Sequence, residues 1–249
     1  MTGCAILVQD ITFGGIFLLP VGVIANSVAV AIGGVVGAAI GPSLPERIRT
    51  SLPTVFGFSS CLIGISLAAK VVNLAPVILS MILGLLIGEL LFLSTRIENG
   101  IRTVQKKLHF ELGDADYMER FTTLLLLFCA SGTGVFGALT EGMTGNSSIL
   151  LAKTILDFFT VIIFASTMGR FLSVIAVPQF VVMLTLFLLA RVIYPLMSAD
   201  MTADFSALGG ILTMMAGFNL LRIKQTPVLN LLPAFLLCPI LSKLWSMVF

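Results

Sequence analysis

An all-α, polytopic transmembrane helix bundle of about seven or eight spans is the fold class this sequence predicts, on three observations. Hydrophobic residues make up 58% of the 249 positions. Charged residues make up only 10%, against about 25% in soluble globular domains. The apolar residues also fall in unbroken runs, and a helix of about 20 such residues crosses a hydrocarbon core roughly 30 Å thick. A membrane β-barrel would show apolar–polar alternation instead. A single integral membrane domain over residues 1–249 is therefore expected. The net charge of +2 is too small to suggest nucleic acid as a partner.

Eight runs qualify, taken in order as 17–41, 53–69, 74–93, 119–139, 149–168, 173–194, 205–221 and 228–248. Pro42 and Pro45 close the first, and Pro53 and Pro76 open the second and third. Pro195 follows the sixth and Pro227 precedes the eighth, as expected for a residue that lacks an N–H and cannot continue a helix. Two stretches read as interrupted. Residues 130–148 mix glycine with Ser and Thr, and the last run carries Pro233 and Pro239 inside it. Backbone groups freed there need protein, water or an ion as partner. A start with few positive charges and Asp10 does not resemble a cleavable signal peptide.

Orientation follows from Lys and Arg, which concentrate in cytoplasmic loops. With the N-terminus outside, Arg47, Arg49, Arg96, Arg102, Lys106, Lys107, Arg120, Arg170, Arg222 and Lys224 face inward. Only Lys70, Arg191 and Lys243 then face outward, with Lys153 inside a span. A plasma-membrane protein with both termini outside is expected. Its long loop 94–118 should face the cytoplasm. In that loop Ile97, Ile101, Val104, Leu108 and Leu112 recur at helical spacing with cations on other faces, which predicts an amphipathic helix on the bilayer surface.

Small residues recur every four positions, as in Ala25, Ala29, Gly33, Gly37 and Gly41, or Ser80, Gly84 and Gly88. Such stripes let helix backbones approach closely in lipid. They predict a compact bundle and are compatible with a homo-oligomer. Gly57 and Gly64, followed by Ser66, also echo Gly210 and Gly217, followed by Asn219. This hints at an internal repeat of the kind many transporters contain.

Ionisable side chains in a span are expensive to insert, so a retained one needs a reason. Lys153 and Asp157 lie one turn apart on one face of the fifth run. Asn26 and Ser27 lie at comparable depth in the first, and Glu141 at the outer end of the fourth. Together these five make a candidate ion or substrate site, since hard cations take oxygen ligands. The alternative is a Lys–Asp pair that only neutralises itself. Glu89, Asn219 and Asn230 sit near inner ends of their spans. They suit an inner vestibule, interhelical hydrogen bonds or, for Glu89, pairing with a basic loop residue.

Cys4, Cys61, Cys129 and Cys238 show no metal-ligand spacing, and His109 is the only histidine. No metal, cofactor or catalytic residue is expected. Phosphate-loop, dinucleotide and zinc-protease motifs are absent from the sequence, so the chain is read as no enzyme.

The strings "ANSVAVAIGG", "LPERIR", "LGLLIGEL" and "LLAKTILDFFTVIIFASTMG" resemble the bacterial domain-of-unknown-function 554 family (YqgA/YdfK-like). The likeness covers the chain from about residue 20 onward. It implies an inner-membrane protein, a sodium channel or pump as the family's label, and a link to biofilm formation. It carries over no site residue. The expected function is a cation channel or transporter, with the bilayer and a monovalent cation such as Na⁺ as partners. The alternative is a non-transporting protein that organises partners or lipids in the cell envelope.

Overall fold

The computed structural model describes residues 19–43, 45–107, 117, 121, 124–125, 127–129 and 131–248. Nine helices are delimited there: α1 Val21–Ile40, α2 Glu46–Ala68, α3 Leu74–Leu90, α4 Leu93–Lys107, α5 Gly132–Thr144, α6 Ser148–Met168, α7 Ala176–Ile193, α8 Ala199–Leu220 and α9 Ala234–Val248. Helical residues between 117 and 129 precede α5. No strand occurs among the described residues. Among the described residues six helical segments are long and apolar enough to cross a membrane, and α3 is a shorter apolar helix. Leu62, Ile65, Val181 and Leu188 are among many large apolar side chains left exposed. So much contiguous apolar surface requires lipid around it.

Several runs differ from the sequence expectation for identifiable reasons. The fourth does not run through Ser131 as one helix. Ser131 is extended and its hydroxyl accepts the Gly134 N–H at 3.2 Å, so α5 starts anew there as a capped helix. Pro53 does not open α2 but lies inside it. Pro233 lies outside α9, which follows a 3₁₀ turn at Val228–Leu231, while Pro239 is interior to that helix. Helix α8 begins at Ala199, six residues before the expected 205, because Ser198 caps it through the Met201 N–H. The basic loop does contain a helix, α4, and its residues 108–116 lie outside those described.

Glycine contacts set the helix directions. On α1, a Cβ added to Gly33 would stand 2.5 Å from Val161 Cγ1, and one on Gly37 would stand 2.9 Å from Ala165 Cβ. Both sequences advance together, so α1 and α6 run parallel. The order reverses between α2 and α8, where Gly64 meets Gly210 and Gly57 meets Gly217. The two glycine pairs that echo each other in sequence are thus opposite sides of one antiparallel contact. Gly84 and Gly88 meet Ala234 and Asn230, making α3 antiparallel to α9. These directions fit a chain that reverses at each short link. They bring Leu19 and the end of α9 to the same face of the bundle.

Two groups of helices result. Helices α1, α5, α6 and α7 pack together, and α2, α3, α8 and α9 form the other group. Phe136 of α5 joins them, packing against Phe205 and Phe235 from α8 and α9.

Candidate functional site

The first group closes around charge. Asp157 lies near the middle of α6, with Lys153 one turn before it, and both are buried. Their facing position follows from the four-residue spacing. Lys153 Nζ donates to Asp157 Oδ2 at 2.5 Å. Asn26 Nδ2, from the second turn of α1, donates to the same oxygen at 3.0 Å. Gln179 Nε2, from the first turn of α7, donates to it at 3.1 Å and to Asn26 Oδ1 at 2.5 Å. One carboxylate oxygen therefore gathers three N–H donors from three helices. Gly33 and Gly37 let α1 approach α6 closely enough for Asn26 to reach it.

The interrupted fourth span ends beside this cluster. A Cβ on Gly134 would meet Lys153 Cε at 2.9 Å, so the lysine stem rests on the first turn of α5. The Phe128 ring centroid lies 5.9 Å from the ammonium, within cation–π range. Gln179 Oε1, in this cluster, lacks a hydrogen-bond partner among the described residues, and so does Ser27 Oγ elsewhere on α1. Buried polar atoms are seldom left so, and such exceptions call for an explanation. The oxygens of the cluster are thus the Asp157 carboxylate and the Asn26 and Gln179 amide oxygens, whereas the buried Ser27 hydroxyl bonds to none of them. Rotation of the two amides and withdrawal of Lys153 would turn an N–H-filled pocket into an oxygen cage, the donor set hard cations take.

Glu141 belongs to a different set of bonds. Its Oε1 accepts the Gly22 N–H at 2.6 Å and its Oε2 the Val23 N–H at 3.2 Å. It caps the start of α1, where Pro20 supplies no side-chain cap. Asp204, absent from the sequence expectation, holds the turn that leads into α3. Its Oδ1 accepts the Val72 and Asn73 N–H groups at 3.0 and 2.7 Å. Its Oδ2 accepts Asn73 Nδ2 at 3.1 Å and the Ser242 hydroxyl at 2.6 Å.

The three residues expected at inner ends of spans separate. Asn230 Nδ2 donates to Glu89 at 2.9 Å, and Asn230 Oδ1 accepts the Ser94 N–H and hydroxyl, both at 2.7 Å. Glu89 and Asn230 thereby tie the end of α3 to the start of α4. Asn219 closes its own loop by accepting the Thr226 N–H at 2.8 Å. Among the described residues no cluster of His, Cys, Asp and Glu could hold a metal. Cys61, Cys129 and Cys238 are free and buried, and Cys4 lies outside the described residues.

Residues 21–243 match the family model described as "Protein of unknown function (DUF554)". The chain belongs to the DUF554 family. It is 43% identical over 229 residues to "Uncharacterized protein YqgA" of Escherichia coli (strain K12), covering 91% of this chain and 97% of that protein. It is 27% identical over 223 residues to "Uncharacterized membrane protein YdfK" of Bacillus subtilis (strain 168), covering 88% and 94%. No solved structure matches. The matched span of this DUF554 chain contains Asn26, Lys153, Asp157 and Gln179, as well as Glu141 and Asp204.

Sequence reasoning missed Gln179 and Asp204. Gln179 follows Pro178 in an otherwise apolar run, and a lone amide in such a run was the available signal. Asp204 was passed over because α8 was expected to begin after it.

Proposed function

We propose that this chain is a membrane transport protein for a small monovalent cation, with Asp157 as the central ligand. The observation that supports this reading best is the Asp157 cluster itself. A carboxylate and two amides from three helices meet near the middle of α6, and Gln179 Oε1 has no partner among the described residues. A pair serving only to neutralise itself needs none of those extra oxygens. In the site's empty state Lys153 occupies the cation's place. A cation arriving at Asp157 displaces it toward Phe128 and recruits the amide oxygens. The broken end of α5 beside the pair favours the same reading, since discontinuous helices commonly border transporter sites.

Transport across the bacterial inner membrane, with α4 on the cytoplasmic side, completes the proposal. The ends of the helices support that orientation. Arg47, Arg96, Arg170 and Arg222 gather at one face, while Lys70, Arg191 and Lys243 mark the other. A second reading, a non-transporting protein that organises the envelope or biofilm-related partners, is favoured by the direct Lys153–Asp157 ion pair, which leaves no net charge. The deciding experiment is Na⁺ flux into liposomes containing this protein alone. Flux above that of protein-free liposomes supports transport, and its absence across a series of alkali cations favours the second reading.

A further inference from the structure

A long apolar groove opens on the other side of α5 from the charged cluster. It encloses about 780 Å³, within the range of roughly 300–1,000 Å³ typical of ligand sites. Val135 and Leu139 of α5 form its floor, with Leu186 and Ile193 of α7 on one wall and Phe235 and Ile240 of α9 on the other. Its one charged lining residue among those described is Lys243, exposed in the second half of α9, with Leu244 and Met247 lining the groove beyond it. That ammonium has no ion-pair partner among the described residues.

From the groove we infer a binding site for a phospholipid with an anionic headgroup, its acyl chain in the groove and its phosphate on Lys243. Three observations select this occupant. From Leu232 to Lys243 the wall rises about 16 Å at helical rise, about one leaflet of a core roughly 30 Å thick. A chain lying there places its headgroup at the ammonium, and cation and phosphate are complementary. Met143, Met197, Met201 and Met247 also line the groove, and unbranched thioether side chains adapt to a flexible guest.

A second copy of the chain fits less well. This molecule's close helix contacts are built on glycine, as at Gly33, Gly64 and Gly84. The groove lining has no glycine and only Ala190 as an alanine. It lacks the small-residue seat on which this molecule's own close helix contacts are built.

The chain's single tryptophan, Trp245, lies two residues from Lys243 and reports on the site. The protein is placed in phosphatidylcholine vesicles, and Trp fluorescence is titrated with brominated phosphatidylglycerol or brominated phosphatidylcholine. The anionic lipid is expected to reach half-maximal quenching at an about fivefold lower mole fraction, the factor that about 1 kcal/mol per cation near the surface gives. Lys243→Met should erase that preference, whereas Lys70→Met, at the same face of the bundle, should keep it. Equal quenching by the two lipids, or a preference that survives Lys243→Met, overturns the site. So does a stable dimer in which neither lipid quenches, because the groove is then filled by a second copy.

Discussion

Glu141 Oε1 and the Gly22 amide nitrogen lie 2.6 Å apart across two helices 119 residues apart in sequence. The contact satisfies helix-start N–H groups that have no partner within α1. It predicts a structural penalty with little loss of site chemistry. Glu141→Ala should destabilise the bundle by roughly 1–3 kcal/mol for each N–H left stranded. Glu141→Gln, which keeps one acceptor oxygen, should lose less. Thermal unfolding in detergent measures both. Equal loss in the two variants would contradict the capping role.

The α1–α6 contact makes a second prediction. A side chain at Gly33 or Gly37 would collide with Val161, Ile162 and Ala165. Leucine at either position should cost about 1–3 kcal/mol or more through overpacking. It should also push Asn26 away from Asp157. Gly100, whose added Cβ would meet nothing within 4 Å, serves as the control, and Gly100→Ala should leave stability nearly unchanged.

Topology is testable with single cysteines in residues 94–107 and in the 140–147 segment, in a background lacking Cys4. The arginine distribution predicts that an impermeant thiol reagent on intact cells labels the second set and spares the first. The opposite pattern would invert the orientation while leaving the relative helix directions intact.

Much of the fold was legible because apolar run length and glycine spacing act locally. A run of about 20 residues crosses the bilayer whatever its neighbours do. Glycine stripes mark close contacts wherever they occur, as Gly33, Gly64 and Gly84 illustrate. Lys153, Asp157 and Asn26 were found for a related reason, since polar groups in apolar runs stand out. What escaped depends on partners distant in sequence. Nothing local says that Glu141 faces the start of α1 and not Asp157, or that Asp204 is enclosed by Asn73 and Ser242. The break at Ser131 lay between, since its composition was visible while the restart as a capped helix was not. The glycine echo shows the same limit. Two like spacings were apparent, and their meeting face to face needed the packing.

The Lys153–Asp157 pair separates a ligand site from mere neutralisation. Lys153→Met alone strands a buried carboxylate, and removing one partner of a buried pair costs roughly 3–5 kcal/mol. Adding Asp157→Asn should restore most of that stability. The double variant is expected to be folded and without cation response. If it recovers both stability and flux, the pair is structural only.

The most direct measurement is Na⁺ uptake by liposomes containing Asp157→Asn, beside the unaltered protein at equal reconstituted amounts. Asn keeps the shape and one oxygen but removes the charge on which Lys153, Asn26 and Gln179 converge. With folding verified by size-exclusion chromatography, the account predicts uptake for the unaltered protein and a fall to the protein-free background for the variant. Uptake by Asp157→Asn at the unaltered rate would remove Asp157 as the ligand and contradict the account.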